Sequence, residues 1–253
     1  MRRQVTILGT RGVPANHGGF ETFAENLAKY LVSNGWKVTV YCQQGGLGWF
    51  GRSRWCGIEL IHVPVGQLGV LSTVIFDLLS VLHSLRSPGV FLTLGYNTAV
   101  FNVLYRIFRR VNLINMDGIE WQRDKWGVLA RCWFWINERA ACRIGHHLIA
   151  DNPGIEEHLA IRVRRKKITM IPYGARFVES GNIDIIEELG LVDANYAIVI
   201  ARPEPENSIL EIVRAFSKKP RGIKLVVLGS FDVKSNQYHN LVMATASSEV
   251  LFL

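Results

Sequence analysis

Short apolar runs of four or five residues alternate, along most of this chain, with longer stretches in which apolar side chains recur every three or four positions. The first pattern marks buried strands, the second helices with one face on a core. The runs predict a strand over residues 5–8, a helix from about 20 to 34 stopped by Gly35, strands over 37–42 and 59–63, and a helix over 69–84. Residues 90–94 and 113–116 read as strands flanking a helix through 102–109, followed by a helix over 126–143 and a strand over 147–150. Asn152 then Pro153 is a helix-start signal: the amide caps the first turn, and proline costs no hydrogen bond at the first helical position. It opens a helix to about residue 160, before a strand over 167–171.

Strands alternating with helices of this length predict right-handed crossovers and a mostly parallel sheet. The near-continuous apolar strands VTIL, VFLTL and LVVL fit a sheet covered on both faces. After Tyr173-Gly174 the pattern lapses, and residues 175–195 read as a linker with one short helix. A second series follows: strand 196–201, helix 208–217, strand 224–228, helix 237–247 and strand 250–253. The predicted class is α/β, with a Rossmann-like domain over 1–174 and the start of a second over 196–253. About sixty residues make a marginal domain alone, and the last four are apolar, so the second domain is expected to be incomplete.

Hydrophobic residues make up 49% and charged residues 20%, which excludes a disordered chain. The four cysteines form no C-x-x-C pair and none stands at zinc-ligand spacing, so they read as small buried hydrophobes, with no metal site and no disulfide framework. Residues 68–82 are apolar but carry Asp77 and are too short to span a bilayer; 89–108 are interrupted by Gly95-Tyr96-Asn97-Thr98. No signal peptide is legible in MRRQVTILG, so a cytoplasmic location is expected. The net charge of +8 favours a polyanionic partner: nucleic acid, a phosphorylated substrate or an anionic membrane face. With no helix-turn-helix, zinc finger or aromatic strand signature, nucleic acid is not the expected one.

Between the first strand and helix runs Gly9-Thr-Arg-Gly-Val-Pro-Ala-Asn-His-Gly-Gly-Phe-Glu-Thr. Gly9, Gly12, Gly18 and Gly19 permit positive φ and close approach of a ligand, and the following helix offers N–H groups to an anion. The spacing is neither that of a dinucleotide fingerprint nor that of a P-loop. Two readings stand: a tight turn packing helix on strand, or a ligand loop at the end of a parallel strand. His17 lies in the same loop.

That loop, GTRGVPANHGGFETFAENLAKYL, resembles the opening of retaining glycosyltransferases of the GT-B fold, nearest the subgroup that includes bacterial polysaccharide rhamnosyltransferases. NMDGIEWQRDKWG, ADNPGIEEHL, IPYGA and ARPEPENSILEIVRAF match in family order over nearly the whole chain. The resemblance implies two Rossmann-like domains, the first for the acceptor and the second for a nucleotide-diphosphate sugar. It implies no cofactor beyond that donor, and transfer of a sugar, rhamnose by the nearest subgroup, to a saccharide or polyprenyl-linked acceptor in cell-surface polysaccharide synthesis. Peripheral contact with the inner membrane face goes with such acceptors.

On the acceptor side the resemblance brings Gly12, Gly18 and Gly19 together with Asp117, at the end of the strand over 113–116. The Asp117 carboxylate would orient an acceptor hydroxyl, Glu120 would share sugar hydroxyls, and Arg123 and Lys125 suit phosphates. The alternative is an Asp-Gly turn with solvated charges and core tryptophans. On the donor side Arg202 matches the arginine that binds diphosphate, while Asn207 stands where a lysine is usual; Asn207 or Ser208 would also cap the next helix. The family's later pair of acidic residues is missing, so an inactive fragment or a binding module retaining the acceptor domain is the alternative function. His146 and His147 read as structural, Trp133, Phe134 and Trp135 as helix packing. Arg162, Arg164, Arg165, Lys166 and Lys167, with Arg106, Arg109 and Arg110, read as a solvated basic face or a lipid-headgroup surface.

Overall fold

A computed structural model describes residues 3–16, 18–175, 177, 179–192 and 195–253. The chain divides into two compact units, Met1–Ala175 and Arg176–Leu253.

The first unit runs β1 (Gln4–Leu8), α1 (Gly19–Ser33), β2 (Lys37–Gly45), β3 (Gly51–Trp55), β4 (Ile58–Val65), α2 (Val70–Ser84), β5 (Val90–Leu94), a 3-10 turn (Ala99–Asn102) leading into α3 (Val103–Ile107), β6 (Val111–Asn115), α4 (Val128–Ile144), β7 (His147–Ala150), α5 (Pro153–Ala160) and β8 (Ile168–Met170). Its eight strands form one sheet in the order β3-β4-β2-β1-β5-β6-β7-β8. All pairings are parallel except that of β3 with β4. The chain leaves β1 toward β2 on one side and returns to β5 on the other. This is the topological switch point at which open α/β sheets bind ligands.

The continuous apolar strands behave as the pattern predicts: Val5, Ile7, Leu8, Phe91, Leu92 and Leu94 are all buried. Asn152 Oδ1 accepts from the Ile155 amide at 3.0 Å, with Pro153 at the helix start. β3 has no sequence counterpart above. Gly-Arg-Ser-Arg-Trp carries no apolar alternation, because this edge strand projects Arg52 and Arg54 into solvent, and charged edges resist further pairing. The helix expected through 102–109 is only the short α3, ending before Arg109 at φ +53°. Cys42 and Cys142 are buried free thiols, but Cys56 and Cys132 are exposed, contrary to the reading of all four as core residues.

The second unit contains α6 (Ile183–Glu188), β9 (Tyr196–Ile200), α7 (Ile209–Ser217), β10 (Lys224–Leu228), α8 (Gln237–Thr245) and β11 (Val250–Phe252). The three strands are parallel with β10 central. Ile209, Val213, Leu225, Val227 and Val242 form its core.

Two glycines with similar φ separate conformational need from packing need. Gly9 (φ +77°) lies so close to β5 that a Cβ would stand 2.2 Å from the Leu94 carbonyl oxygen. Gly35 (φ +76°), past the end of α1, would meet nothing within 4 Å. Gly35→Ala is therefore expected to cost about 1–2 kcal/mol, the left-handed strain alone. Gly9→Ala adds a backbone collision at the switch point and should cost at least twice as much. Urea midpoints of the two variants check this; equal losses would contradict it.

Candidate functional site

The C-terminal ends of β1, β5, β6, β7 and β8 deliver, in spatial order, the glycine-rich loop, Tyr96, Asp117, Asp151 and Tyr173 to one rim of the first sheet. The helix α1 starts from the same rim.

The glycine-rich loop is tied down by the helix behind it. Glu21, buried in the first turn of α1, accepts from the Arg11 amide at 2.9 Å and from Thr10 Oγ1 at 3.3 Å. Glu25 accepts from the Ala15 amide at 2.8 Å. A carboxylate thus already occupies the positive end of the helix, where a bound anion was expected. The glycines also divide. Gly12 takes φ +129°, and a Cβ there would press on Cys42 at 2.8 Å, so its requirement is packing. Gly18 is extended (φ −162°) and Gly19 is the first helical residue; neither uses positive φ, contrary to the sequence expectation. Space is open around the Cβ position of Gly19. His17 lies outside the described residues.

Asp117 is one of four described non-glycine residues at positive φ, at +48°. Such strain concentrates where the surrounding structure holds a functional side chain in place. Its amide donates to Asn115 Oδ1 at 3.3 Å, and Asn115 Nδ2 donates to the Tyr173 hydroxyl at 2.8 Å. The Tyr173 ring meets Phe23 of α1 edge-on at 5.3 Å, so α1, β6 and the segment after β8 close around one point. Burial raises the Asp117 carboxyl above its ordinary value, the Asp151 and Glu120 charges add to this, and the Gly118 amide and Arg123 oppose it.

Glu120, expected to share sugar hydroxyls, is already engaged within its own loop. Its carboxylate accepts from Arg123 Nη1 at 2.6 Å and Trp126 Nε1 at 2.9 Å, while its amide donates to the Tyr96 hydroxyl at 2.7 Å. Arg123 is accordingly paired within the loop, and Lys125 stands 4.9 Å over the Trp126 ring. These residues build the loop that presents Asp117.

The group that anchors this loop went unread in the sequence. Glu138, on the inner side of α4, is 1% exposed. Trp121 Nε1 donates to its Oε2 at 2.5 Å, His158 Nε2 lies 3.1 Å from the same oxygen, and Arg162 Nε lies 3.0 Å from Oε1. Asp151, Asn115, Tyr96 and Tyr173 were also missed as site residues. Their signal was position: each ends a parallel strand or follows one within three residues.

The basic stretch is not simply a solvated face. Arg106 Nε donates to the Ile144 carbonyl at 2.6 Å and Lys167 Nζ to the Cys142 carbonyl at 2.5 Å, two cations on the C-terminal carbonyls of α4. Arg162 turns inward to Glu138, and Arg165 grips Glu157 at 2.7 and 2.8 Å. His146 and His147 make local bonds, to the Asn112 amide at 3.2 Å and Thr169 Oγ1 at 2.7 Å. Phe134 packs on the core, but Trp133 and Trp135 are exposed, correcting their reading as packing residues.

Arg202 and Asn207 belong to the second unit, after β9. Asn207 Nδ2 donates to the Arg202 carbonyl at 2.8 Å rather than capping α7, and Ser208, at φ +54°, makes no side-chain cap either. His239 accepts from the Asp232 amide at Nδ1 (2.8 Å), so its Nε2–H donates to the Pro203 carbonyl at 3.0 Å and braces the same loop. Among the described residues no helix is long and apolar enough to cross a membrane, and no three His, Cys, Asp or Glu side chains gather as metal ligands.

Solved structures similar to the chain include Anabaena Alr3699/HepE in complex with UDP and glucose (TM-score 0.69, 15% identity, covering 99% of this chain and 69% of that one). Others are the catalytic domain of Arabidopsis thaliana starch synthase IV bound to ADP and acarbose (0.69, 13%, 99% and 73%) and a Burkholderia xenovorans α,α-trehalose-phosphate synthase in complex with glucose-6-phosphate (0.69, 9%, 99% and 74%). The fold is therefore that of the GT-B glycosyltransferases. No curated protein matches the chain by sequence. The chain belongs to the family described as a domain of unknown function, DUF1972, which matches residues 2–176.

One further carboxyl braces the rim. Asp77 of α2 accepts from Thr98 Oγ1, in the turn after β5, at 2.8 Å, and burial raises its pKa from 3.8 to about 7. The folded protein holds a proton here that the unfolded chain releases near pH 4. Stability present below that pH is lost as pH climbs through 7. Asp77→Asn removes the dependence. Its stability relative to wild type should rise between pH 4 and 7, by up to about 1.4 kcal/mol per pH unit. Denaturant midpoints across that range test this, and a pH-independent difference would refute it.

Proposed function

We propose that the chain is a nucleotide-sugar-dependent glycosyltransferase whose first unit holds the acceptor and whose second unit holds the donor diphosphate. The observation that carries this reading is the strained Asp117, with Asp151 close enough to raise its carboxyl, at adjacent strand ends of a GT-B fold. A carboxylate in that position accepts a hydrogen bond from an acceptor hydroxyl and aims its oxygen at the sugar. The nucleotides in HepE and starch synthase IV support a nucleoside-diphosphate donor by analogy of fold.

In this reading Arg202 neutralises charge developing on the leaving diphosphate. Transfer proceeds with retention: the hydroxyl enters on the face that the diphosphate leaves, and the leaving phosphate takes the proton. Asp117 then orients and polarises without acting as a strong base. Rhamnose as the sugar, a polyprenyl-linked saccharide as the acceptor and polysaccharide synthesis as the setting rest on the sequence resemblance. A second reading, an acceptor-binding module without transfer, is favoured by Asn207, a neutral amide engaged with the Arg202 backbone where a second cation would serve the diphosphate.

A panel of UDP-, GDP- and dTDP-sugars, with calorimetry for binding and a polyprenyl-linked saccharide for transfer, separates the two. The enzyme reading predicts donor binding and turnover; the module reading predicts neither. In the active case Asp117→Asn should lower kcat about 10²-fold or more with the donor KM little changed. An unchanged kcat would remove Asp117 from the chemistry.

A further inference from the structure

The helix α7 starts without a side-chain cap of its own, since Ser208 sits at φ +54° and its hydroxyl makes no capping bond. The first turn of α8 takes over that task. Asn236 Oδ1 accepts from the Tyr238 and His239 amides at 2.9 and 3.3 Å, which fixes two neighbouring side chains at the start of the helix. The Tyr238 hydroxyl accepts from the Leu210 amide of α7 at 3.1 Å. The His239 side chain reaches the loops that follow β9 and β10. Those loops run in contact: a Cβ at Gly229 would stand 2.8 Å from the Ala201 carbonyl oxygen.

The bridge between them demands a neutral histidine. Pro203 is buried, so its carbonyl needs a donor, and the Asp232 amide of the other loop needs an acceptor. A neutral imidazole offers one of each on its two nitrogens. Asn236 Nδ2 also lies 3.2 Å from Nε2, but the tautomer that would accept from it sets Nδ1–H against the Asp232 amide and leaves the Pro203 carbonyl without its donor. Arg202, next to Pro203, is exposed. Its carbonyl accepts from the Glu204 amide at 2.7 Å and from Asn207 Nδ2 at 2.8 Å. The backbone of Arg202 is therefore ordered from both sides while its guanidinium faces solvent. A cation ordered before its ligand arrives spares the cost of ordering it on binding.

We propose that His239 is a positioning residue for Arg202: it locks the loop after β9 to the loop after β10, so that the guanidinium meets a diphosphate from a loop already in place. The proposal rests on the donor role given to Arg202 above.

Calorimetry of the 253-residue chain with UDP, GDP and dTDP, together with amide exchange over residues 202–208, tests this. His239→Leu should quicken exchange in that segment and weaken the nucleoside diphosphate that binds by about two- to tenfold, because the ordering cost moves onto binding. In a double-mutant cycle it should cost nothing further once Arg202→Ala is present. His239→Gln, whose amide reaches the Pro203 carbonyl as Nε2 does, should restore both affinity and slow exchange. His239→Asn, which reaches only the Asp232 amide, should restore neither. These two variants carry the comparison should His239→Leu lose its far-ultraviolet circular dichroism. Val242→Ala, in the core contact of the same helix, should lower the urea midpoint and leave affinity unchanged. Unchanged exchange over 202–208 in His239→Leu, additive losses in the cycle, or equal affinities of the Gln and Asn variants would overturn the proposal and leave the donor site standing. Failure of the wild type to bind any of the three nucleotides, with exchange still responding to His239→Leu, would instead remove the role of Arg202 and the proposal with it.

Discussion

A carboxylate withdrawn from water must be met by donors, and Glu138 is met by three elements at once. Trp121 comes from the loop after β6, His158 from α5, and Arg162 from the turn beyond it. Trp121 and His158, both at Oε2, fix the middle of the loop 117–126 on α4 and draw α5 against both, while Oε1 has the ion-pair contact of Arg162 and, among the described residues, no hydrogen bond. The two ends of that loop are held separately, by Asn115 on Tyr173 and by Glu120 on Tyr96, Arg123 and Trp126. Asp117 holds its positive φ between these anchored points.

The same constraint explains the chemistry of the rim. With Glu120 engaged inside the loop, the carboxylates that directly follow the strand ends are Asp117 and Asp151, with Tyr173 bonded to Asn115. Two carboxylates, one raised by burial and by the other's charge, suit recognition of hydroxyl groups better than recognition of phosphate. The glycine-rich loop agrees, since Glu21 and Glu25 already take its amides. In the proposed scheme anion recognition falls to Arg202 on the second unit, and the rim of the first unit would meet hydroxyl groups of the acceptor.

Much of this architecture was legible in the amino-acid order. Strands such as Val90–Leu94 and helices such as Pro153–Ala160 follow from apolar runs and an Asn-Pro start, because the signal is local. β3 was not legible, since an edge hairpin without apolar alternation owes its place to its partner β4. Asp117 could be marked from its strand end. The role of Glu120 could not, because the bonds of its carboxylate to Arg123 and Trp126 depend on the irregular 3-10 turn of the loop and follow no helix or strand period. Glu138 was missed because a glutamate among apolar helix residues reads as a surface position until Trp121, His158 and Arg162 are brought together around it. The glycines were half read: closeness of packing decides Gly9 and Gly12, and the positive φ expected of Gly18 and Gly19 is absent.

The hold of Glu138 on Trp121 is the point on which the presentation of Asp117 turns, and the indole N–H reports it directly. In ¹H–¹⁵N spectra, with Trp121→Phe used for assignment, the account predicts a downfield Trp121 Nε1–H resonance with strongly slowed solvent exchange. A resonance at the solvent-exposed indole position, exchanging freely, would show that the loop is not held and would contradict the account.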